Sequence, residues 1–348
     1  MAGKTLKLQP VTNDPYNAET PFNALQDEHT PIDLFYVRNH FSAPTINIIQ
    51  FELEVNGAVA NPFKLTLDRL RKFPARSLLL VMECAGNGRA SMKPAIKGTP
   101  WNLGAISQAE FSGTSLSYLL TEADLTKNAI EVRFTGADQG KIRSGAIQPY
   151  ARSLPREVAM HPDTLLVWEM NGKPLDQQHG YPLRLVVPGW YGMASVKWLQ
   201  EITVLTEPFN GFFQTQEYIY IGEEGIPDNT PVSNMRVRSL ILQPESDTAH
   251  QKDEIQVTGI AWTGEGEVTK VELSFDGGNQ WIDANTVAPT SSYSVTRWVY
   301  AWYPENQGDY RIMVRAYDSK GESQPLNALW NEGGYGNNAC HQVNLSVI

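Results

Sequence analysis

The sequence predicts an α+β domain over residues 1–231 and an immunoglobulin-like β-sandwich over 232–348. Three observations carry this. The 348 residues are too many for one small core and suit two domains. Up to about residue 225, short strands and helices mix without a regular βαβ alternation. Beyond it, short alternating runs succeed one another with no helical stretch.

Residues 1–50 are rich in Pro, Asn and Asp and read as an irregular arm, most clearly over 1–30. Phe51–Val55 alternates like a strand and ends at the turn pair Asn56-Gly57. Thr66 can cap a helix over Leu67–Lys72, which must stop before Pro74. Ser77–Glu83 reads as a buried strand, followed by a helix over Thr114–Ala123. Strands are then expected at Ile130–Phe134, Leu165–Glu169, Pro182–Val187 and Leu199–Leu205. Gly225–Asn234, with two prolines, reads as the linker. The sandwich strands are Glu254–Ala261, Val268–Phe275, Val295–Trp302, Tyr310–Tyr317 and Cys340–Val347, with Asp276-Gly277-Gly278 spaced as a hairpin turn between two of them.

Composition excludes several classes. No apolar run approaches the roughly 20 residues of a membrane helix. Thirty-eight acidic residues against 28 basic ones give a net charge of −10, which disfavours nucleic acid; it either suits a basic protein partner or merely keeps the protein soluble. Two distant cysteines, Cys84 and Cys340, allow neither a disulfide framework nor a four-cysteine zinc site, and no CxxCH motif attaches a haem. The stretch Met1–Leu8 lacks the apolar core of a signal peptide and a twin arginine. The expected compartment is the cytoplasm, or the periplasm if a leader has been removed.

Cys84 is the residue with the most chemical promise. It comes directly after an apolar strand and opens the loop Cys84-Ala85-Gly86-Asn87-Gly88-Arg89, whose glycines admit close approach. A nearby cation such as Arg89 favours the thiolate, the form that binds metals. These residues alone permit a metal ligand, a nucleophile or a buried core cysteine.

The same loop resembles the molybdenum-binding loop of the sulfite oxidase family, which includes assimilatory nitrate reductases. Three further segments resemble that family in the same order: Phe35–His40, Lys97-Gly98-Thr99-Pro100-Trp101 with Gly104-Ala105-Ile106, and His179–Gly189 running on to Val196–Leu199. Trp330-Asn331 with Asn338-Ala339-Cys340-His341 resembles the end of its dimerisation domain. The resemblance implies that Cys84 supplies one thiolate to molybdenum and a molybdopterin dithiolene supplies two more sulfurs. It places Arg38, Arg89, Lys97 and Trp101 in an anion pocket beside the metal and makes Tyr218 the active-site tyrosine. Asn39, His40, His179, Arg184 and Lys197 match positions that hold the pterin and its phosphate.

The activity implied by the resemblance is oxidation of sulfite to sulfate, with electrons passed to an external acceptor such as a c-type cytochrome; the implied assembly is a homodimer. A small, strongly hydrated anion needs cations to replace its water, and the cofactor carries the redox chemistry. Two departures bear on this. Gly333 stands where the family's sulfite oxidases often carry a third anion-binding arginine, so a nitrate- or sulfoxide-reducing relative is the alternative. The N-terminal haem domain of vertebrate members is not expected here. A non-catalytic scaffold is opposed by the retained Cys84, Arg89 and Tyr218. His161 acquires no role, and Cys340, where vertebrate members have tryptophan, is expected to be a buried sandwich residue.

Overall fold

Two five-stranded sheets organise the first domain of this computed structural model, which describes residues 6–348; most of the Met1–Leu8 stretch lies outside the described residues. One sheet runs Lys173–Pro174, Leu165–Met170, Ile106–Ser115, Ala75–Glu83, with Arg184–Val186 also paired to Leu165–Met170. The other runs Phe63–Leu65, Leu53–Gly57, Leu199–Leu205, Glu131–Lys141, Ile147–Pro155. Leu53–Gly57 and Leu199–Leu205 pair in parallel, a crossover that ties an early strand to a late one. Val55, Val132, Phe134 and Ile202 of this sheet are wholly buried, in one apolar core with the helix Leu116–Ala123.

That helix buries Leu116, Leu119, Leu120 and Ala123, the spacing of one helical face. It starts later than the sequence suggests because the strand Ile106–Ser115 runs through Thr114, and the Ser115 side chain caps the Ser117 N–H. Thr66 caps the first helix as expected, but the helix covers only Leu67–Leu70. The strand Ile106–Ser115 itself escapes a hydropathy reading. Its Ser107 and Thr114 are fully buried, their hydroxyls bonded to Thr20 Oγ1 (2.6 Å) and to the Pro74 carbonyl (2.9 Å). Satisfied buried polar groups erase the alternation that marks a strand.

The irregular arm is partly ordered into a hairpin, Gln9–Asn13 with Tyr16–Glu19. Ala18 bridges Val37, and Asn17, Ala18 and Glu19 are buried. Contact with the rest of the domain, rather than the arm's own pattern, orders it. The linker is likewise packed: Thr230–Pro231 pairs with Ile219–Tyr220, and the buried Val232 donates its N–H to the Tyr218 carbonyl at 2.9 Å.

The second domain is a sandwich of two sheets. One runs Arg238–Gln243, Ile255–Trp262, Thr296–Trp302, Asn285–Val287; the other runs Thr248–His250, His341–Val347, Gly308–Asp318, Val268–Ser274, Ile282–Asp283. Val257, Val271, Leu273, Trp298, Ile312 and Val314 fill the space between them. The turn at Asp276-Gly277-Gly278 joins Val268–Ser274 to the short Ile282–Asp283, whereas Thr296–Trp302 lies in the facing sheet. Asp276 Oδ1 accepts from the Asn279 and Gln280 N–H groups (2.9 and 3.0 Å), folding a longer loop than a two-residue hairpin. No helix among the described residues is long and apolar enough to cross a membrane.

Candidate active site: a cationic cavity at Cys84

Cys84 directly follows the strand Ala75–Glu83, whose last five residues are buried. Its N–H donates to the Ala105 carbonyl and its own carbonyl accepts from Asn87, both at 2.9 Å, so the chain turns sharply after the strand. Gly88 closes this turn at φ +87°, a left-handed conformation suited to glycine. Beside the thiol lies a cavity. Arg38, Asn39, His40, His179, Arg184, Lys197 and Tyr218 line it, as do Asp138, Tyr150 and Gln178.

The polar groups are fixed by backbone and side-chain partners. Arg184 donates to the carbonyls of His179 (3.1 Å) and Ser195 (3.2 Å), and Lys197 to that of Gln178 (2.7 Å) and to Asn39 Oδ1. Arg38 donates to Asn17 Oδ1 (3.3 Å) and to the Asn39 carbonyl. The His179 ring is held by Asp176 Oδ1 at 2.8 Å and stands edge-on to Phe35. His40 Nε2 lies 2.6 Å from the Tyr218 hydroxyl, and its ring stacks on Tyr150 at 4.5 Å.

Burial sets the charge states. It pushes His40 well below its ordinary value, and the Arg38, Lys197 and Arg152 charges add to this. With Nε2 unprotonated, a neutral His40 accepts a hydrogen bond from the Tyr218 hydroxyl, whose pKa burial raises to about 12 against the pull of Arg38. Burial also pushes the Cys84 thiol up; Arg38 opposes it most, then the Gly86 N–H and Arg89. Arg38 therefore shares, and leads, the part that sequence reasoning gave to Arg89. Asp138 is raised to about 6 by burial, and Lys197 is lowered by burial and by Arg184.

The structure does not place the remaining predicted anion-pocket residues, Arg89, Lys97 and Trp101, in the lining of this cavity. Arg89 is buried, with Nε donating to the Gly333 carbonyl (2.9 Å), a terminal nitrogen to the Thr99 carbonyl (3.0 Å), and its guanidinium 5.2 Å from the Tyr335 ring centre. Trp101 is wholly buried in the cluster that contains Cys84 and Phe35. Lys97 is exposed. Cys340 is buried, and burial pushes its thiol up to about 11. Asp138 and Gln178 are lining residues that the sequence reading misses. The pairing of Glu131–Lys141 with Ile147–Pro155 breaks register between Thr135 and Gln139, a bulge that brings Asp138 to the cavity; Gln178 adjoins the recognised His179.

Three lining cations, Arg38, Arg184 and Lys197, face one lining carboxylate, Asp138, in a chain of net charge −10. The buried Arg184 Nε has no hydrogen-bond partner among the described residues. Such a donor set suits a large anionic ligand rich in hydrogen-bond acceptors, with a thiol at one end for a soft metal. The described residues hold no group of three or more His, Cys, Asp or Glu that could bind a metal. A metal at Cys84 would thus draw further donors from a cofactor. These features fit molybdopterin.

Comparison with known proteins points the same way. The model of the oxidoreductase molybdopterin binding domain matches residues 40–213, and that of the Mo-co oxidoreductase dimerisation domain matches 229–348. The sulfite oxidase of Arabidopsis thaliana is 32% identical over 98% of this chain and 94% of its own length. The mitochondrial sulfite oxidase of Rattus norvegicus is 33% identical over 96% of this chain, which spans 64% of that longer protein. The solved sulfane dehydrogenase SoxCD of Paracoccus pantotrophus superposes with a TM-score of 0.84 at 28% identity, over 98% of this chain and 90% of the other. Fold and site together define a molybdopterin oxidoreductase. The chain belongs to the sulfite oxidase family of these molybdenum-cofactor enzymes.

Proposed function

We propose that the protein oxidises sulfite to sulfate and passes the electrons to an external acceptor, such as a c-type cytochrome. The observation that carries this is the meeting of the Cys84 thiol, Arg38 and Tyr218 in one buried, cation-rich cavity. Asn39, His179, Arg184 and Lys197 would hold the pterin and its phosphate, and Cys84 the molybdenum. The bound cofactor supplies oxygen-atom transfer and two-electron redox chemistry.

The chain's own residues prepare the substrate. Arg38 offers fixed positive charge to a small oxyanion and replaces its hydration, and Arg89, whose charge reaches Cys84, adds to the field from outside the lining. Tyr218 stays protonated and keeps a hydroxyl donor at the cavity, while His40 fixes that hydroxyl's direction. The sulfite oxidases among the relatives support this substrate. The match to the nitrate reductase of Phaseolus vulgaris, 31% identical over 96% of this chain but only 41% of that protein, supports nitrate less. The dimerisation-domain match supports a homodimer joined through 232–348.

The test is protein expressed with molybdate and assayed for metal and for reduction of ferricyanide by sulfite. About one molybdenum per chain is expected, and Cys84→Ser should lose both metal and activity. A folded wild type that carries zinc, or that reduces nitrate while ignoring sulfite, removes the proposal.

A further inference from the structure

We infer that Tyr335 is a positioning residue of the oxyanion site, and that its ring occupies the space a side chain at 333 would need; this rests on the reading of the cavity as an oxyanion site. The segment Asn331–Asn337 comes from the sandwich domain yet lies against the Cys84 loop. The Gly336 N–H donates to the Ala85 carbonyl (2.8 Å), and Arg89 Nε donates to the Gly333 carbonyl (2.9 Å). Between these two anchors the Tyr335 ring is buried, 5.2 Å from the Arg89 guanidinium and 5.1 Å from the Tyr218 ring. It touches two predicted site residues at once. Its own place is fixed by Asn331, whose side chain bonds both the Tyr335 N–H (2.9 Å) and carbonyl (2.8 Å), and Asn331 also donates to Glu223 Oε2 (2.9 Å).

Gly333 and Tyr335 depend on each other. A Cβ on Gly333 would fall 2.2 Å from Tyr335 Cε2 and 2.4 Å from Cδ2, closer than atoms can pack. An arginine at 333 and the present ring position are mutually exclusive. This chain therefore has an aromatic ring, stacked on Arg89, in place of a charge from residue 333. The ring restrains the guanidinium by a cation–π contact in a desolvated setting and limits the freedom of Tyr218. Loss of the ring lets Arg89 relax, which costs anion binding before it costs the chemical step.

The test uses the molybdenum-loaded protein and reads KM for sulfite, kcat and, by calorimetry, sulfate affinity. Tyr335→Phe keeps the ring and should stay near wild type in all three. Tyr335→Val should raise KM and weaken sulfate binding about tenfold, with kcat changed less than about threefold. Gly333→Ala, which pushes the ring aside while leaving it in the sequence, should reproduce the valine effect and covers a valine variant that fails to fold. Equal damage from Phe and Val, or unchanged sulfate affinity in both Tyr335→Val and Gly333→Ala, overturns the inference. A wild type inert to sulfite defeats the substrate proposal alone, because the sulfate arm still reads the role of Tyr335.

Discussion

Glu83 and Arg238 form a buried ion pair of 2.6 Å across the domain boundary, immediately before the Cys84 loop. Their side chains are 1% and 4% exposed, and both Glu83 oxygens are engaged. Oε2 accepts from Trp262 Nε1 (3.0 Å), and Oε1 accepts from Asn87 Nδ2 (3.0 Å) as well as from Arg238. The sandwich thus grips the strand that delivers the candidate metal ligand. Removing one member of a buried pair leaves a charge without a partner, at a cost of about 3–5 kcal/mol. Arg238→Met should lose stability on that scale in urea unfolding and retain less molybdenum. The double variant Glu83→Gln/Arg238→Met should recover part of the loss. Arg238→Met within about 0.5 kcal/mol of wild type would show that the pair does not hold the loop.

Arg38→Gln should raise KM for sulfite more than it lowers kcat. Arg38 lines the cavity, and its charge is the strongest influence opposing the burial of Cys84. Each charge-assisted contact is worth roughly 1.5–3 kcal/mol, or one to two orders of magnitude in affinity. Steady-state kinetics decide it; an unchanged KM means that sulfite binds elsewhere.

Acid should destabilise the protein through His341. Burial lowers this histidine to about 4, and its Nδ1 accepts the Ile241 N–H at 3.0 Å, which requires the neutral ring. The unfolded chain takes up that proton near pH 6.5, so it binds more protons than the folded state between about 6.5 and 4. Stability therefore falls as pH drops through that window. Between pH 7.5 and 5 the loss should be about 2 kcal/mol, at 1.36 kcal/mol per unit. Denaturant unfolding at both pH values compares wild type with His341→Gln, which should show the smaller fall. Equal falls would remove His341 as the source.

The electron acceptor should be a basic protein whose reduction slows as salt rises. Residues 232–348 carry 8 Lys and Arg against 14 Asp and Glu, a net of −6, and the rest of the chain supplies the other −4. Opposite charge speeds encounter at low ionic strength, and a Debye length of about 8 Å at physiological salt screens it. Rates with a basic cytochrome c and with ferricyanide, run over the same salt series, separate steering from a general salt effect. A response no steeper with the cytochrome leaves steering unsupported.

The features legible in the sequence are those whose chemistry is carried locally. The strand before Cys84 holds the apolar run Leu78–Met82, and Thr66 sits one residue before its helix, so both can be read directly. Ile106–Ser115 is hidden because its buried serines and threonines are satisfied by distant partners, which composition cannot show. The site divides in the same manner. Arg38, His40, His179 and Lys197 lie in segments with a recognisable order, and the structure gathers them in one cavity. Asp138 reaches that cavity through a bulge, and Tyr335 and Arg238 reach the loop through domain packing. Nothing in the residues beside them announces this.

The contacts of Asn337 have a consequence for biosynthesis. Its side chain donates to the Gly88 carbonyl at 2.9 Å, a residue 249 positions earlier in the chain. On the ribosome the Cys84 loop emerges well before these partners, which are made 249 residues later. The nascent first domain cannot hold the loop as the finished protein does. Molybdenum delivery that depends on this loop geometry would have to wait until the second domain has docked onto the first.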